Sequence, residues 1–285
     1  YGGIGYYHVS DKLIALFSHF ISCGTYEGIY ILDGLASNES DIQPDTLHGD
    51  THAQSYPVFA LAYLMGIKLM PRGINDLVLH RPDRRVAYKN ISSLMSESID
   101  WKLIETHLPD MLRIAVSIKL GKIAPSTILR RLGTHSRRNK VYFAFRELGK
   151  VIRTMFLMRY IDDVDLRKMI HAETNKTEQF HRFAKLLFFG GEGIIAENIR
   201  HEQRKIIKYN HLVANMVILH NVVDMTHALN QIRREGTVIT RQMAAGLGPF
   251  RLESINRFGD YTLDFRRKVE PVKFDTLIIP TEPVG

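Results

Sequence analysis

Thr46-Leu47-His48-Gly49-Asp50-Thr51-His52, followed at once by Ala53-Gln54-Ser55-Tyr56-Pro57, is the stretch around which the rest of the chain can be read. A short apolar run enters it and one carboxylate stands at its end. Ser55 and Pro57 then open a helix, serine being a favoured N-cap and proline fitting the first helical turn. The pattern is a strand delivering Asp50 to a strand-to-helix turn. In an α/β sheet such a turn faces the crevice at the carboxyl ends of the strands, where ligands and metal ions gather. One carboxylate rarely holds a divalent ion, so a second acidic residue is expected from elsewhere in the chain.

Upstream, residues 6–22 hold two β-rich runs around Ser10-Asp11-Lys12, which predicts an antiparallel hairpin with Asp11 as a turn residue. Thr25 is placed to cap a helix whose apolar positions Ile29, Leu32, Leu35 and Ala36 follow three- and four-residue spacing, with a polar loop over Asn38–Asp41 beyond. Downstream, Val58–Met65 reads as a helix stopped by Gly66, and Ile67–Met70 as a strand closed by Pro71. Strands first, then alternating helices and strands, predict an α/β sheet with an antiparallel portion.

From Ile74 the pattern turns helical. Asp100 caps a helix that Pro109 should interrupt, Ser126 caps a shorter one before Gly133, and a long helix covers Val141–Tyr160. A short helix is expected over Val164–Ile170, and a separate apolar run, Phe180–Phe189, ends at Gly190-Gly191. A long helix from Glu202 to Glu235, apolar through Leu212, Met216, Leu219, Val223 and Leu229, is expected to lie buried against the sheet. Residues 237–263 read as one more short helical unit, and 266–285, with Pro271, Pro280 and Pro283, as a loosely ordered tail.

The 285 residues are 45% hydrophobic and 24% charged, a globular balance that excludes a wholly disordered chain. The formal charge of +8 fits either a polyanionic partner or a basic, solvated surface. The charge is uneven: no Asp or Glu falls between Met111 and Arg146, where Arg130, Arg131, Arg137 and Arg138 are found. The single Cys23 allows neither an intrachain disulfide nor a cysteine-based zinc site, which suits a reducing cytosol. With no unbroken apolar run of about 18 residues and no cleavable signal, a protein without membrane spans is expected. The chain opens on Tyr1 inside a strand pattern and so reads as part of something longer.

A second motif, Asn175-Lys176-Thr177-Glu178, supplies the candidate partner for Asp50. Gly49-Asp50-Thr51 with Gln54-Ser55, followed far downstream by Asn175-Lys176 and Glu178, resembles the catalytic region of transposases of class II replicative transposons, the Tn3 family. Tyr1–Asp11, Ile31–Leu35, Asn38–Asp45, Phe188–Gly193 and Arg257–Tyr261 carry the same resemblance, which covers roughly residues 1–265. It implies a DDE enzyme with a ribonuclease-H-like α/β core, N-terminally truncated here and carrying a large all-helical insertion. The core would comprise 1–73 and 173–265, the insertion 74–172, and the tail 266–285. Three acidic residues would hold two Mg²⁺ ions, Mn²⁺ being an alternative. Asp50 would be the second and Glu178 the third, the first lying upstream of Tyr1, so that this piece alone is expected to be inactive. The implied partners are DNA, as terminal inverted repeats and target, and a second subunit of the full-length protein, in a bacterial cytoplasm.

Two-metal chemistry explains why carboxylates are wanted: hard oxygen ligands suit Mg²⁺, and paired ions stabilise the attacking and leaving oxygens. Lys176 and the arginines at 130, 131, 137 and 138 are candidate phosphate contacts, acting through counterion release. Other readings stand beside this one. Asn175-x-x-Glu178 has capping-box spacing. His48, Asp50 and His52 would share one face of a continuous strand, as in a mononuclear metal hydrolase. A DNA-binding remnant without catalysis is the third possibility. Asp11 and Asp33 do not align with the missing acidic residue.

Overall fold

Gly3–Val9 (β1) and Ala15–Ser22 (β2) pair across a turn in which Leu13 takes φ 65° and Ser10 holds both sides, its carbonyl accepting from Leu13 N and its amide donating to Ile14 O. The expected hairpin is therefore present. This computed structural model describes all residues except 1–2, 23–25, 75, 135–138, 189–192, 251–259, 261, 263, 269 and 280–285, together with the side chains of His52 and Thr134. In chain order there follow α1 (Asp33–Ala36), β3 (Thr46–Gly49), α2 (Tyr56–Leu64), β4 (Lys68–Pro71), β5 (Leu79–Arg81) and β6 (Met95–Ser98). The remainder is helical: α3 (Trp101–Lys119), α4 (Pro125–Thr134), α5 (Lys140–Asp162), α6 (Val164–Leu186), α7 (Arg200–Arg234) and α8 (Arg241–Ala245). Two compact units divide the chain, a hairpin unit of residues 1, 5–20 and 177–285 and a central unit of residues 2–4 and 21–176.

The central unit is built on β3–α2–β4. The two strands pair in parallel, Thr46 opposite Lys68 through Gly49 opposite Pro71, so a crossover helix must join them. Val58, Phe59, Ala60, Leu61 and Ala62 of α2 are all buried, as expected of a helix apolar on every side. α5 packs along it, with Phe59 and Phe156 ring centroids 5.9 Å apart. Gly149 makes this approach possible, because a Cβ there would lie 1.9 Å from the Tyr56 carbonyl oxygen. Ile104, Met111 and Ile118 of α3 join the same core.

Several local expectations are corrected. The helix expected after Thr25, itself outside the described residues, is split into a 3-10 turn at Glu27–Ile29 and the single turn α1. Asp33 has a structural task instead: its carboxylate accepts from Ser126 N and Ser126 Oγ, so it caps α4, which starts at Pro125 rather than after a capping Ser126. Pro109 does not interrupt α3, because buried Ile104 and Met111 anchor the helix on both sides of it. Asp100 caps α3 as expected, accepting from Leu103 N at 2.9 Å. The segment 74–172 is not all-helical, since β5 and β6 pair within it. The described residues thus form helices and three two-stranded sheets.

The hairpin unit has its own core of Ala15, Phe180, Phe183, Ala184, Ala214, Ile218 and Phe250. α7 is less buried than its composition predicts: Leu212, Met216 and Leu219 are exposed, and the covered stripe runs through Ile207, Asn210, Ala214, Ile218, Val223 and Asn230. By length and composition α7 is the one described helix able to cross a membrane. Three of its polar side chains are nevertheless engaged inside the unit. Asn215 exchanges hydrogen bonds with the Ala15 backbone, His211 lies 2.7 Å from Ala15 O, and Asn210 donates to Ala184 O.

Candidate active site

β3 ends at Gly49, and the chain turns at once into a 3-10 helix over Thr51–Gln54. Gly49 is needed at this corner because a Cβ would come within 2.9 Å of both Ala53 and Ile31 side chains. Ala53 N donates to Asp50 O, Arg72 N donates to Gly49 O, and the Gln54 amide donates to Gly73 O at 2.8 Å, tying the corner to the end of β4. Asp50 is exposed at the carboxyl end of the parallel pair, where its sequence context puts it. Ser55 occupies the N-cap position of α2 without making a side-chain cap bond; its hydroxyl bonds Tyr26 instead. Desolvation raises the Tyr26 phenol above its ordinary pKa, the Ser55 bond opposes this, and the charge of Asp50 adds to it.

Glu178 stands on α6, which runs unbroken from Val164 to Leu186 in place of two separate helices. Its start is fixed by Asp163, whose carboxylate accepts from Leu166 N at 2.9 Å. Asn175 and Glu178 are thus interior helical residues, and the capping-box reading fails because N-cap groups lie outside the helix. Phe180, fully buried, lies about 200° round the helix from Glu178, which leaves the carboxylate exposed. His181 follows Glu178 on the same face. Desolvation lowers the His181 pKa, and the Glu178 charge opposes the shift.

The other candidates have varied surroundings. Lys176 is paired with Glu173 at 2.8 Å. Arg130 donates to Tyr30 Oη at 2.7 Å with its guanidinium over that ring, Arg131 is exposed on α4, and Arg137 and Arg138 lie outside the described residues. His48 and Asp50 do not lie on one continuous strand with His52, because β3 has ended before Asp50. His48 is half-buried, its pKa lowered by burial and raised in opposition by Glu173. No group of three His, Cys, Asp or Glu side chains suited to a metal ion occurs among the described residues. As donors, Asp50 and Glu178 fit Mg²⁺ in kind, both being exposed carboxylates. They fall in different units.

Residues 1–261 match the family described as the Tn3 transposase DDE domain. The chain belongs to that family. This DDE domain is 32% identical over 284 residues to the transposase for transposon Tn501 of Pseudomonas aeruginosa, covering 99% of the chain and 29% of that protein. Against the transposase for transposon Tn21 of Escherichia coli it is 32% identical, with coverage of 95% and 28%. The transposase for transposon Tn1546 of Enterococcus faecium is 29% identical, with coverage of 94% and 27%. The chain spans less than a third of the length of these curated relatives.

Two neighbours of the candidate carboxylates escaped the sequence reading. His181 becomes visible once α6 is drawn through Glu178, since three residues along a helix share a face. Tyr26 has no local signal; only the tertiary arrangement brings it to Ser55 and the charge of Asp50.

Proposed function

We propose that this DDE domain is the catalytic part of a DNA transposase that nicks transposon ends and joins the freed 3′-hydroxyls to target DNA. The observation that carries the reading is the family match over residues 1–261, with both motif carboxylates exposed. The relatives' names, transposases for named transposons, support the same activity. In this reading the core is ribonuclease-H-like, formed by 1–73 and 173–265, with 74–172 as an insertion and 266–285 as a tail.

Asp50 and Glu178 would hold the metal, Mg²⁺ or Mn²⁺, with the third carboxylate that the family resemblance implies. A bound metal pair would activate the attacking oxygen and stabilise the leaving oxygen. Lys176 neutralises phosphate charge next to Glu178, while Arg130, Arg131, Arg137 and Arg138 hold the DNA backbone without reading sequence. The partners are transposon inverted repeats, target DNA and a second subunit, in a bacterial cytoplasm.

The test is joining of a labelled transposon end to plasmid DNA by the longest natural polypeptide that contains this domain. Asp50→Ala and Glu178→Ala should each remove joining while end binding persists. Normal joining by either variant would refute the assignment.

A further inference from the structure

Outside the two motifs, the central unit has a cavity of about 490 Å³ lined by Arg81, Arg84, Ser96, Glu97 and Ser98. It sits on the β5–β6 pair, where the register shifts between His80 and Arg81 and Ser96, Glu97 and Ser98 all reach the cavity. Arg84 Nε donates to Ser98 Oγ at 3.3 Å, which holds its guanidinium at the cavity wall. Arg81 spends its donors on neutral groups: Val86 O, Ser92 O and Ser92 Oγ. Neither arginine makes an ion pair among the described residues, and Glu97 is the one carboxylate in the lining. Glu97 lies 3.8 Å from Lys150, whose closer partner is Glu147 at 2.6 Å, and Asp83 pairs with Arg85 at 3.7 Å, so the two guanidiniums outnumber the single carboxylate of the lining.

We propose that this cavity is a contact site for the phosphodiester backbone of bound DNA. The inference rests on the reading that the domain acts on DNA. Guanidinium forks and hydroxyls are phosphate donors, and the lining has no aromatic face on which a base could stack. Arg84, Ser96 and Glu97 are exposed, so a free phosphate would remain hydrated and weakly held. A phosphodiester on a strand already held by other contacts gains from counterion release, and the gain carries no sequence preference.

The test is fluorescence anisotropy of a random-sequence duplex with the 285-residue chain, in chelator, across a salt series. Arg84→Gln should weaken binding severalfold and reduce the slope of log affinity against log salt by about 0.9. Ser96→Glu should weaken binding comparably while every arginine is kept. Arg81 also ties down its own loop, so these two variants, checked for unchanged circular dichroism, carry the test. Inorganic phosphate at constant ionic strength should displace no more DNA than chloride does. The site is overturned if the unaltered chain does not bind the duplex, if both folded variants keep the original slope, or if phosphate competes only when Arg84 is present. The last outcome would identify a small-anion site. Joining by the Asp50→Ala polypeptide is scored separately, so failure of the catalytic reading and failure of this site give different results.

Discussion

Asp50 leaves a four-residue strand at a corner where the backbone changes direction at once, whereas Glu178 lies deep in a helix of 23 residues. Near Asp50 close contacts fix the backbone: a Cβ on Gly49 would crowd Ala53 and Ile31, Gln54 ties the corner to Gly73, and Gly149 lets α5 reach the first residue of α2. Glu178 is placed by helix periodicity, which puts buried Phe180 and Phe183 on one side and the carboxylate on the other. A corner fixes one side chain by many close contacts, and a helix fixes it by phase. Damage to the two should therefore differ in kind.

The largest effect is expected from breaking the phase. Asn175→Pro removes an interior helical hydrogen bond and clashes with the preceding turn, at a cost of about 3 kcal/mol or more. Asn175→Ala should change stability by less than about 0.5 kcal/mol, since the residue caps nothing. A capping box would give the reverse pattern, with the alanine variant losing about 1 kcal/mol. Urea unfolding of both variants makes the distinction.

Next comes the corner. Gly149→Ala forces a methyl group against the Tyr56 carbonyl, and backbone cannot swing aside as a side chain can. A loss at the upper end of about 1–3 kcal/mol is expected, measured as a lower urea midpoint. An unchanged midpoint would show that α5 does not hold the start of α2.

How much of this was legible in the sequence follows from the same contrast. The strand, corner, helix and second strand around Asp50 were readable because Gly49, Ser55, Pro57, Gly66 and Pro71 are local signals. The helix through Glu178 was not, because Thr174 and Asn175 have weak helix propensity and the deciding burial, of Ile170 on one side and Phe180 on the other, is tertiary. The cap that Asp33 gives to Ser126 spans 93 residues, a distance over which no capping pattern applies. The need for Gly149 comes from α2, a different element altogether.

A smaller effect concerns pH, and here both regions should respond alike. His80 is buried with its ring nitrogen 3.0 Å from the Oη of Tyr56, the first residue of α2, and desolvation, then Lys150, lower its pKa. His181 beside Glu178 is also lowered by desolvation. A histidine whose folded pKa is depressed binds fewer protons in the native state. Its contribution is present above the unfolded value of ~6.5 and is lost as pH falls below it. The urea midpoint should decline between about pH 7.5 and pH 5.5. His80→Gln should flatten part of that decline, and a midpoint rising on acidification would contradict the assigned directions.

The central claim is that a corner carboxylate and a helix carboxylate bind one metal pair. Replacing Mg²⁺ by Fe²⁺ with ascorbate and peroxide, in the longest natural polypeptide bound to transposon-end DNA, generates radicals that cut the chain beside the metal. Cuts are expected near both Asp50 and Glu178, and Asp50→Ala should remove both together. Cutting at one position only, or cutting near Glu178 that survives the loss of Asp50, would contradict a shared metal site.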